Sequence, residues 1–267
     1  MNVKYVDTHC HLQFEQYAHD REEIIEKMRK EGIAAIVVGT DLETSKEAVA
    51  LAEKYEHLFA SIGFHPGNTT LKSFDEAAYR ALAENKKVVA IGECGLEYFH
   101  TKANDEEKNA QKTLFEKQIT IAAELNKPLT VHVRPSKGTH DAYQDLIQIL
   151  KKAKIKYPNL RGDIHFFAGS ITEAEAFFAL GFTISFTAVI TFSRDYDEII
   201  KAAPLQNILS ETDAPYVAPA SRRGERNDPL AVIEVVQQIA AIHGENFEDV
   251  RTTLLANAKR LFALREA

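Results

Sequence analysis

The regular alternation of short β-branched runs with longer amphipathic segments limits the possible folds of this chain more than any other feature. Eight runs of strand composition follow one another, and a segment with helical periodicity separates each from the next. Such alternation is typical of parallel βαβ units rather than of hairpins or helical bundles. The predicted strands are residues 3–8, 35–39, 58–63, 88–92, 129–133, 162–166, 182–186 and 207–211.

The helical segments complete eight strand–helix units within a chain of 267 residues, a length that suits a closed barrel better than an open doubly wound sheet. No linker-like stretch or change of composition divides the chain. We therefore predict an α/β fold, a (β/α)8 TIM barrel, as a single domain over residues 1–267. The predicted helices are residues 20–30, 44–54, 75–84, 106–125, 141–152, 172–180, 195–202, 229–242 and 247–264.

Polar residues with metal-binding side chains recur at the carboxyl ends of the predicted strands. In a parallel barrel these ends all lie on one face, which is the face that carries active sites. Side chains that are far apart in sequence are therefore expected to converge there. The candidates are His9, His11, Glu93, His132, His165 and Asp213.

The His9–Cys10–His11 segment is the sharpest local signal. Residues i and i+2 of a strand point to the same side, so the two imidazoles are expected to face one divalent ion together. For an isolated pair, two hydrogen-bonded core histidines would explain the pattern equally well. Potential ligands at four other strand ends weaken that explanation.

The carboxylates of Glu93 and Asp213 each follow an apolar strand, where an unpaired charge is costly to bury. An ion pair with a basic neighbour would also account for Glu93, and an Asx turn or helix cap would account for Asp213. His132 and His165, taken singly, are more often buried structural histidines than ligands. Taken together, they complete a second metal position.

Four histidines and two carboxylates exceed what one tetrahedral ion needs, so we predict two divalent ions bridged by Glu93. This donor set accepts zinc, manganese or magnesium. Cys10 and Cys94 do not suggest a disulfide framework, and residues 1–12 do not resemble a signal peptide. We therefore expect a cytoplasmic protein with no membrane partner, and we leave its oligomeric state open.

The net charge of −7 argues against a general electrostatic grip on duplex DNA, although a local cleft with metal ions can still hold a nucleic acid. One local basic cluster is present, formed by Arg222, Arg223 and Arg226. Guanidinium groups suit phosphate, and a solvated loop explains the cluster equally well.

These motifs resemble those of the TatD family of metal-dependent deoxyribonucleases, within the wider group of amidohydrolase-like barrels. The similarity extends along essentially the whole chain, and the order and spacing of the motifs make it specific. The matching segments are residues 7–12, 63–66, 92–98, 132–134, 165–169 and 211–216, continued by 223–229.

The resemblance implies a deoxyribonuclease, a phosphodiesterase of the 3′–5′ exonuclease type that uses a metal-activated water. It implies one ion among His9, His11, Glu93 and Asp213, and a second among Glu93, His132 and His165. Catalytic roles follow for Asp213, Glu93 and His65, with Asp213 orienting or deprotonating the water. Contact with DNA or another phosphodiester substrate follows for His65, Arg134, Arg223 and Arg226.

Three segments depart from the usual family pattern, one of them being residues 135–140, a slightly long stretch. Glu97 stands where the family usually has Asp, and residues 165–169 read His-Phe-Phe-Ala-Gly instead of His-Cys-Phe-Ser-Gly. Substrate preference is therefore open, and three alternatives stand beside the nuclease. They are a hydrolase of small amides or esters, an enzyme acting on aminoacyl or modified nucleic-acid ends, and a barrel that binds metal or a partner without catalysis.

Overall fold

The computed structural model describes residues 1–68, 74–100 and 104–264. Its eight strands form one sheet in which sequence order is also spatial order, and each strand pairs in parallel with the next. The strands are β1 (Tyr5–Cys10), β2 (Ile33–Val38), β3 (Leu58–Ile62), β4 (Val88–Glu97), β5 (Leu129–Arg134), β6 (Gly162–Ile164), β7 (Phe182–Phe186) and β8 (Ile208–Ser210).

The sheet closes where the chain beyond β8 meets β1. Cys10 and Ala214 form a parallel bridge. On either side of it, the Asp213 N–H donates to the His9 carbonyl at 2.9 Å and the His11 N–H donates to the Ala214 carbonyl at 2.7 Å. We call these contacts the β1–β8 seam. The predicted α/β barrel is thus confirmed as eight parallel strands in a nearly closed cylinder.

Helices connect the strands and begin within three residues of their predicted positions. Capping boxes fix the starts of α2 and α6, where Asp41 and Ser170 each accept the backbone N–H three residues ahead. No helix in the described ranges is long and apolar enough to cross a membrane. The helices are α1 (Arg21–Glu31), α2 (Leu42–Lys54), α3 (Glu76–Ala83), α4 (Asp105–Glu124), α5 (Asp141–Lys156), α6 (Ile171–Ala179), α7 (Asp197–Ala202), α8 (Val232–His243) and α9 (Phe247–Phe262).

Strand β4 is the main departure from the sequence prediction, because it runs to Glu97 and not to Gly92. Its register against β5 shifts between Ile91 and Cys94. Gly92 adopts a φ of 154°, and a Cβ there would lie 2.3 Å from the Thr130 carbonyl oxygen. Glycine is therefore required for β4 to approach β5 so closely. The continued strand carries both Glu93 and Glu97 to the carboxyl end of the barrel.

Candidate metal centre

Glu93 lies at the centre of the carboxyl-terminal face and is almost completely buried. Its two carboxylate oxygens face different groups of side chains. The first group comes from the β1–β8 seam, and the second comes from β5 and from the residues that follow β3 and β6. The structure thus brings together all six predicted metal ligands, with the other five around the shared Glu93 carboxylate.

The first group, which we call the Oε2 cluster, consists of His9, His11 and Asp213. The Nε2 atoms of His9 and His11 lie 3.6 and 3.9 Å from Glu93 Oε2. They lie 3.9 and 3.5 Å from Asp213 Oδ1. The two nitrogens are only 3.3 Å apart, so the imidazoles face the same point as the strand period predicts.

The second group, the Oε1 cluster, consists of His65, His132 and His165. His132 Nδ1 lies 3.0 Å from Glu93 Oε1, His165 Nε2 lies 3.5 Å from it, and His65 Nε2 lies 3.4 Å from it. Three imidazole nitrogens therefore surround one carboxylate oxygen. The two clusters are joined through Glu93, as expected for a bridging ligand.

Partners on the far side of three rings determine which nitrogen carries the proton. His11 Nδ1 lies 2.8 Å from the Val38 carbonyl, which can only accept a hydrogen bond. His165 Nδ1 lies 3.0 Å from Glu211, and His132 Nε2 lies 3.1 Å from Glu97. Each neutral ring therefore turns a lone pair towards the centre.

Lone pairs that face carboxylate oxygens repel them unless a positive charge lies between. Burial opposes protonation of His165, but the adjacent Glu211 carboxylate outweighs it and raises the pKa of His165 to about 10. Burial likewise opposes ionisation of Glu93, yet the surrounding imidazoles hold its pKa well below the usual range. The centre therefore favours positive charge, and its donor atoms fit divalent cations.

His65 differs from the other imidazoles in its proton arrangement. The Gly67 N–H donates to His65 Nδ1 at 3.0 Å, so the proton of the neutral ring is on Nε2. Burial is the main reason that the pKa of His65 falls to about 4, which keeps the ring neutral near pH 7. His65 thus offers an N–H donor to the centre rather than a lone pair.

A cavity of about 770 Å³ opens above the two clusters. Arg134 lines it at the end of β5, and its guanidinium lies 4.3 Å from the centre of the Phe99 ring. Within the described residues, no carboxylate forms an ion pair with Arg134. A stacked cation beside the metal centre is well placed to bind an anionic substrate.

The other two predicted substrate contacts lie elsewhere. The Arg226 guanidinium forms an ion pair with Asp20 at 2.5 Å and stacks over Tyr17. Arg223 stacks on Phe192, 3.6 Å from the ring centre. Neither arginine is among the described residues that line the cavity. Their contact with substrate stays a prediction without support from these positions.

Glu97 and Glu211 have roles that the sequence prediction missed. Both are buried and each holds the outer nitrogen of one histidine, which fixes the ring orientation. The position of a carboxylate after an apolar strand is the pattern that predicted a role for Glu93, and Glu211 occupies a similar position in the sequence. Asp7 accepts backbone N–H groups of His9 and Thr212, so it fixes the chain rather than an imidazole ring.

Comparison with known proteins places this architecture among related chains. A curated relative, the uncharacterized metal-dependent hydrolase YabD of Bacillus subtilis, is 37% identical over 97% of this chain and 98% of its own length. The 3′-5′ ssDNA/RNA exonuclease TatD of Erwinia amylovora is 32% identical over 97% of this chain and 99% of its own. The crystal structure of YjjV, a TatD homologue from Escherichia coli, superposes with a TM-score of 0.86 at 30% identity, covering 99% of this chain and 100% of the other.

The family model described as TatD related DNase matches residues 6–263, a span that includes every residue of both clusters. The barrel fold, the carboxylate shared by two histidine clusters and the matches over nearly the whole chain thus point to one family. The chain belongs to the TatD-related DNase family of metal-dependent hydrolases.

Proposed function

We propose that this protein is a 3′–5′ exonuclease that hydrolyses phosphodiester bonds of single-stranded DNA. The observation that carries the proposal is Glu93, which presents one oxygen to each of two imidazole clusters beneath an open cavity. This arrangement suits a pair of divalent ions that act on one phosphate. A relative named as a 3′-5′ ssDNA/RNA exonuclease supports the choice of substrate and direction.

We further propose two ions, one in each cluster, held by the six predicted ligands. His9, His11, Glu93 and Asp213 would hold the first, and Glu93, His132 and His165 the second. The predominance of nitrogen donors favours zinc or manganese over magnesium. Divalent ions at such a centre neutralise phosphate oxygens and lower the pKa of bound water.

The side chains around the ions have distinct tasks. The Asp213 carboxylate, which reaches the cavity, accepts the proton of the attacking water. Burial opposes its ionisation, but the adjacent His11 imidazole and the other nearby imidazoles lower its pKa and keep it ionised. His65 donates its Nε2–H to a non-bridging phosphate oxygen, where negative charge develops. Arg134 binds a neighbouring phosphate and holds the strand.

Both cysteines are free thiols, which supports a reducing compartment such as the cytoplasm as the site of action.

The test is cleavage of end-labelled single-stranded DNA by chelator-treated protein to which magnesium, manganese or zinc is returned. We expect metal-restored cleavage into a ladder that begins at the 3′ end. Asp213→Asn should lower kcat by about 10²–10⁴-fold with the fold intact, because the proton acceptor is lost. Asp249→Asn, at an exposed position on α9, is the matched control and should leave kcat unchanged.

Near-normal turnover in Asp213→Asn would remove the assigned role. Absence of cleavage with every metal, in protein that binds two ions, would move the activity to a small amide or ester.

A further inference from the structure

One wall of the cavity is aromatic and has no part in the mechanism proposed above. Tyr143 from α5, Phe166 and Ala168 from the segment after β6, and Tyr196 before α7 all line the cavity beside the Oε1 cluster. The cavity measures about 770 Å³, in the range of sites that hold whole small molecules rather than a phosphate alone. A larger part of the substrate therefore has room against this wall.

Tyr143 supplies a hydrogen-bond donor in this wall. Its side chain is 1% exposed and its ring packs against Phe167 with the centres 5.6 Å apart. The hydroxyl oxygen accepts the Ala168 N–H at 3.1 Å, but its own hydrogen has no acceptor among the described residues. A buried hydroxyl with an unused hydrogen is unfavourable, and a ligand that accepts from it would relieve that cost.

Phe166 supplies an aromatic ring in this wall. Its φ of 47° is uncommon for a bulky residue and indicates local strain, which is typical of functional sites. The Phe166 N–H donates to Glu211 Oε1 at 2.7 Å, the same oxygen that faces His165 Nδ1. One buried carboxylate therefore holds both a predicted metal ligand and the backbone of Phe166, whose ring centre lies 6.1 Å from that of the His165 ring.

We propose that this wall is a subsite for the nucleobase of the nucleotide next to the scissile phosphate. The base stacks on Phe166 and accepts a hydrogen bond from Tyr143. This inference rests on the proposed nuclease function. Since every base has an aromatic face and acceptor atoms, the subsite distinguishes a nucleotide with a base from one without, rather than one base from another.

Phe166 is half-buried and Ala168 is exposed, and both line the cavity, so this part of the wall is accessible to a ligand from the cavity side.

The experiment uses single-stranded oligonucleotides that carry one tetrahydrofuran abasic residue, placed in turn on either side of the cleaved bond. For the wild-type protein we expect kcat/KM to fall about 10-fold or more when the abasic residue occupies one particular position. Phe166→Ala should reduce this discrimination to less than about 3-fold, chiefly by slowing cleavage of the intact strand. Tyr143→Phe should weaken it by about 5-fold, since one hydrogen bond is lost.

The discrimination is a ratio within each variant, so partial loss of folded protein or of metal does not change it. Phe166→Leu, which retains apolar volume without an aromatic ring, provides a second variant if Phe166→Ala does not fold. Phe192→Ala, at a position that contacts Arg223, is the matched control and should discriminate like wild type.

Wild-type discrimination that persists in both Phe166→Leu and Tyr143→Phe, or a wild type indifferent to every abasic position, would overturn the subsite while the nuclease function stands. A wild-type protein that cleaves no intact oligonucleotide would instead overturn the proposed function together with this inference.

Discussion

The two clusters that share Glu93 are held in place by different kinds of partner. In the Oε2 cluster, His11 is oriented by a neutral backbone carbonyl, and His9 Nδ1 has no hydrogen-bond partner among the described residues. In the Oε1 cluster, His132 and His165 are oriented by the buried carboxylates of Glu97 and Glu211. Charged carboxylates thus orient the rings of the Oε1 cluster, whereas an uncharged backbone carbonyl orients His11 in the Oε2 cluster.

A carboxylate behind an imidazole fixes the ring and makes it a stronger electron donor to a metal ion. The β1–β8 seam gives the Oε2 cluster its own carboxylate, Asp213. No carboxylate in the described residues bonds to the outer nitrogen of His9 or His11. We therefore expect the proposed ion of the Oε1 cluster to exchange more slowly than the proposed ion of the Oε2 cluster. The following measurements test this contrast.

The largest effect is expected from Glu93→Gln, because this change weakens both clusters at once. Loss of the shared negative charge should lower kcat/KM by about 10³-fold or more and should reduce bound metal in both positions. Metal content after dialysis and steady-state kinetics provide the measurement. Glu47→Gln, an exposed change on α2, is the control. Two ions retained at full activity would show that Glu93 does not bridge them.

Glu211→Gln and Glu97→Gln separate the clusters. Each glutamine can still accept from its histidine but carries no charge, so affinity for one ion should fall by about 10–100-fold while the other ion is unaffected. Titration with cobalt, followed by its visible absorption, resolves the two binding steps. Glu175→Gln, exposed on α6, is the control. Equal weakening of both steps would contradict the division drawn here.

Arg134→Ala tests which side of the centre binds the substrate. Arg134 stands beside the Oε1 cluster without an ion-pair partner in the described residues, whereas Arg223 lies outside the cavity lining. We expect Arg134→Ala to raise KM for single-stranded DNA by about 10-fold, since one charge-assisted contact is lost. Arg223→Ala should change KM less than 2-fold by the same reasoning. A larger rise in KM for Arg223→Ala than for Arg134→Ala would instead indicate that the basic cluster contacts the substrate.

The smallest expected effect is the release of protons when a metal ion binds. A raised pKa of about 10 means that His165 is protonated at pH 7 before an ion arrives, and the pKa of His132 is raised as well. Because an ion needs the unprotonated nitrogen, binding should release about one proton or more, and affinity should fall as the pH falls. Calorimetry in buffers of different ionisation enthalpy measures this release. A value near zero in wild type would contradict the charge-supported arrangement.

The sequence predicted the barrel and the convergence of the six proposed ligands, because strand period and strand-end position are local properties. Strand β7 matches its prediction completely, and the paired approach of His9 and His11 follows from spacing alone. The extension of β4 was missed since Gly92 looks like a strand end. Its function there is to allow close contact with Thr130, which no local pattern reveals.

Partners that are distant in sequence were also beyond prediction. Glu97 contacts His132 because β4 and β5 are paired and their register shifts between Ile91 and Cys94. The basic cluster was likewise visible in the composition, whereas the partners of its side chains were not. Arg226 looks available for phosphate until the fold brings Asp20, 206 residues away, to its guanidinium.

The β1–β8 seam has a consequence for the time at which activity appears during synthesis. A nascent chain that has left the ribosome only as far as β7 already carries His9, His11, Glu93, His132 and His165. It lacks Asp213 and the backbone bonds that align the Oε2 cluster. The proposed hydrolysis of a nucleic acid therefore requires that the last strand has been translated and joined to the first.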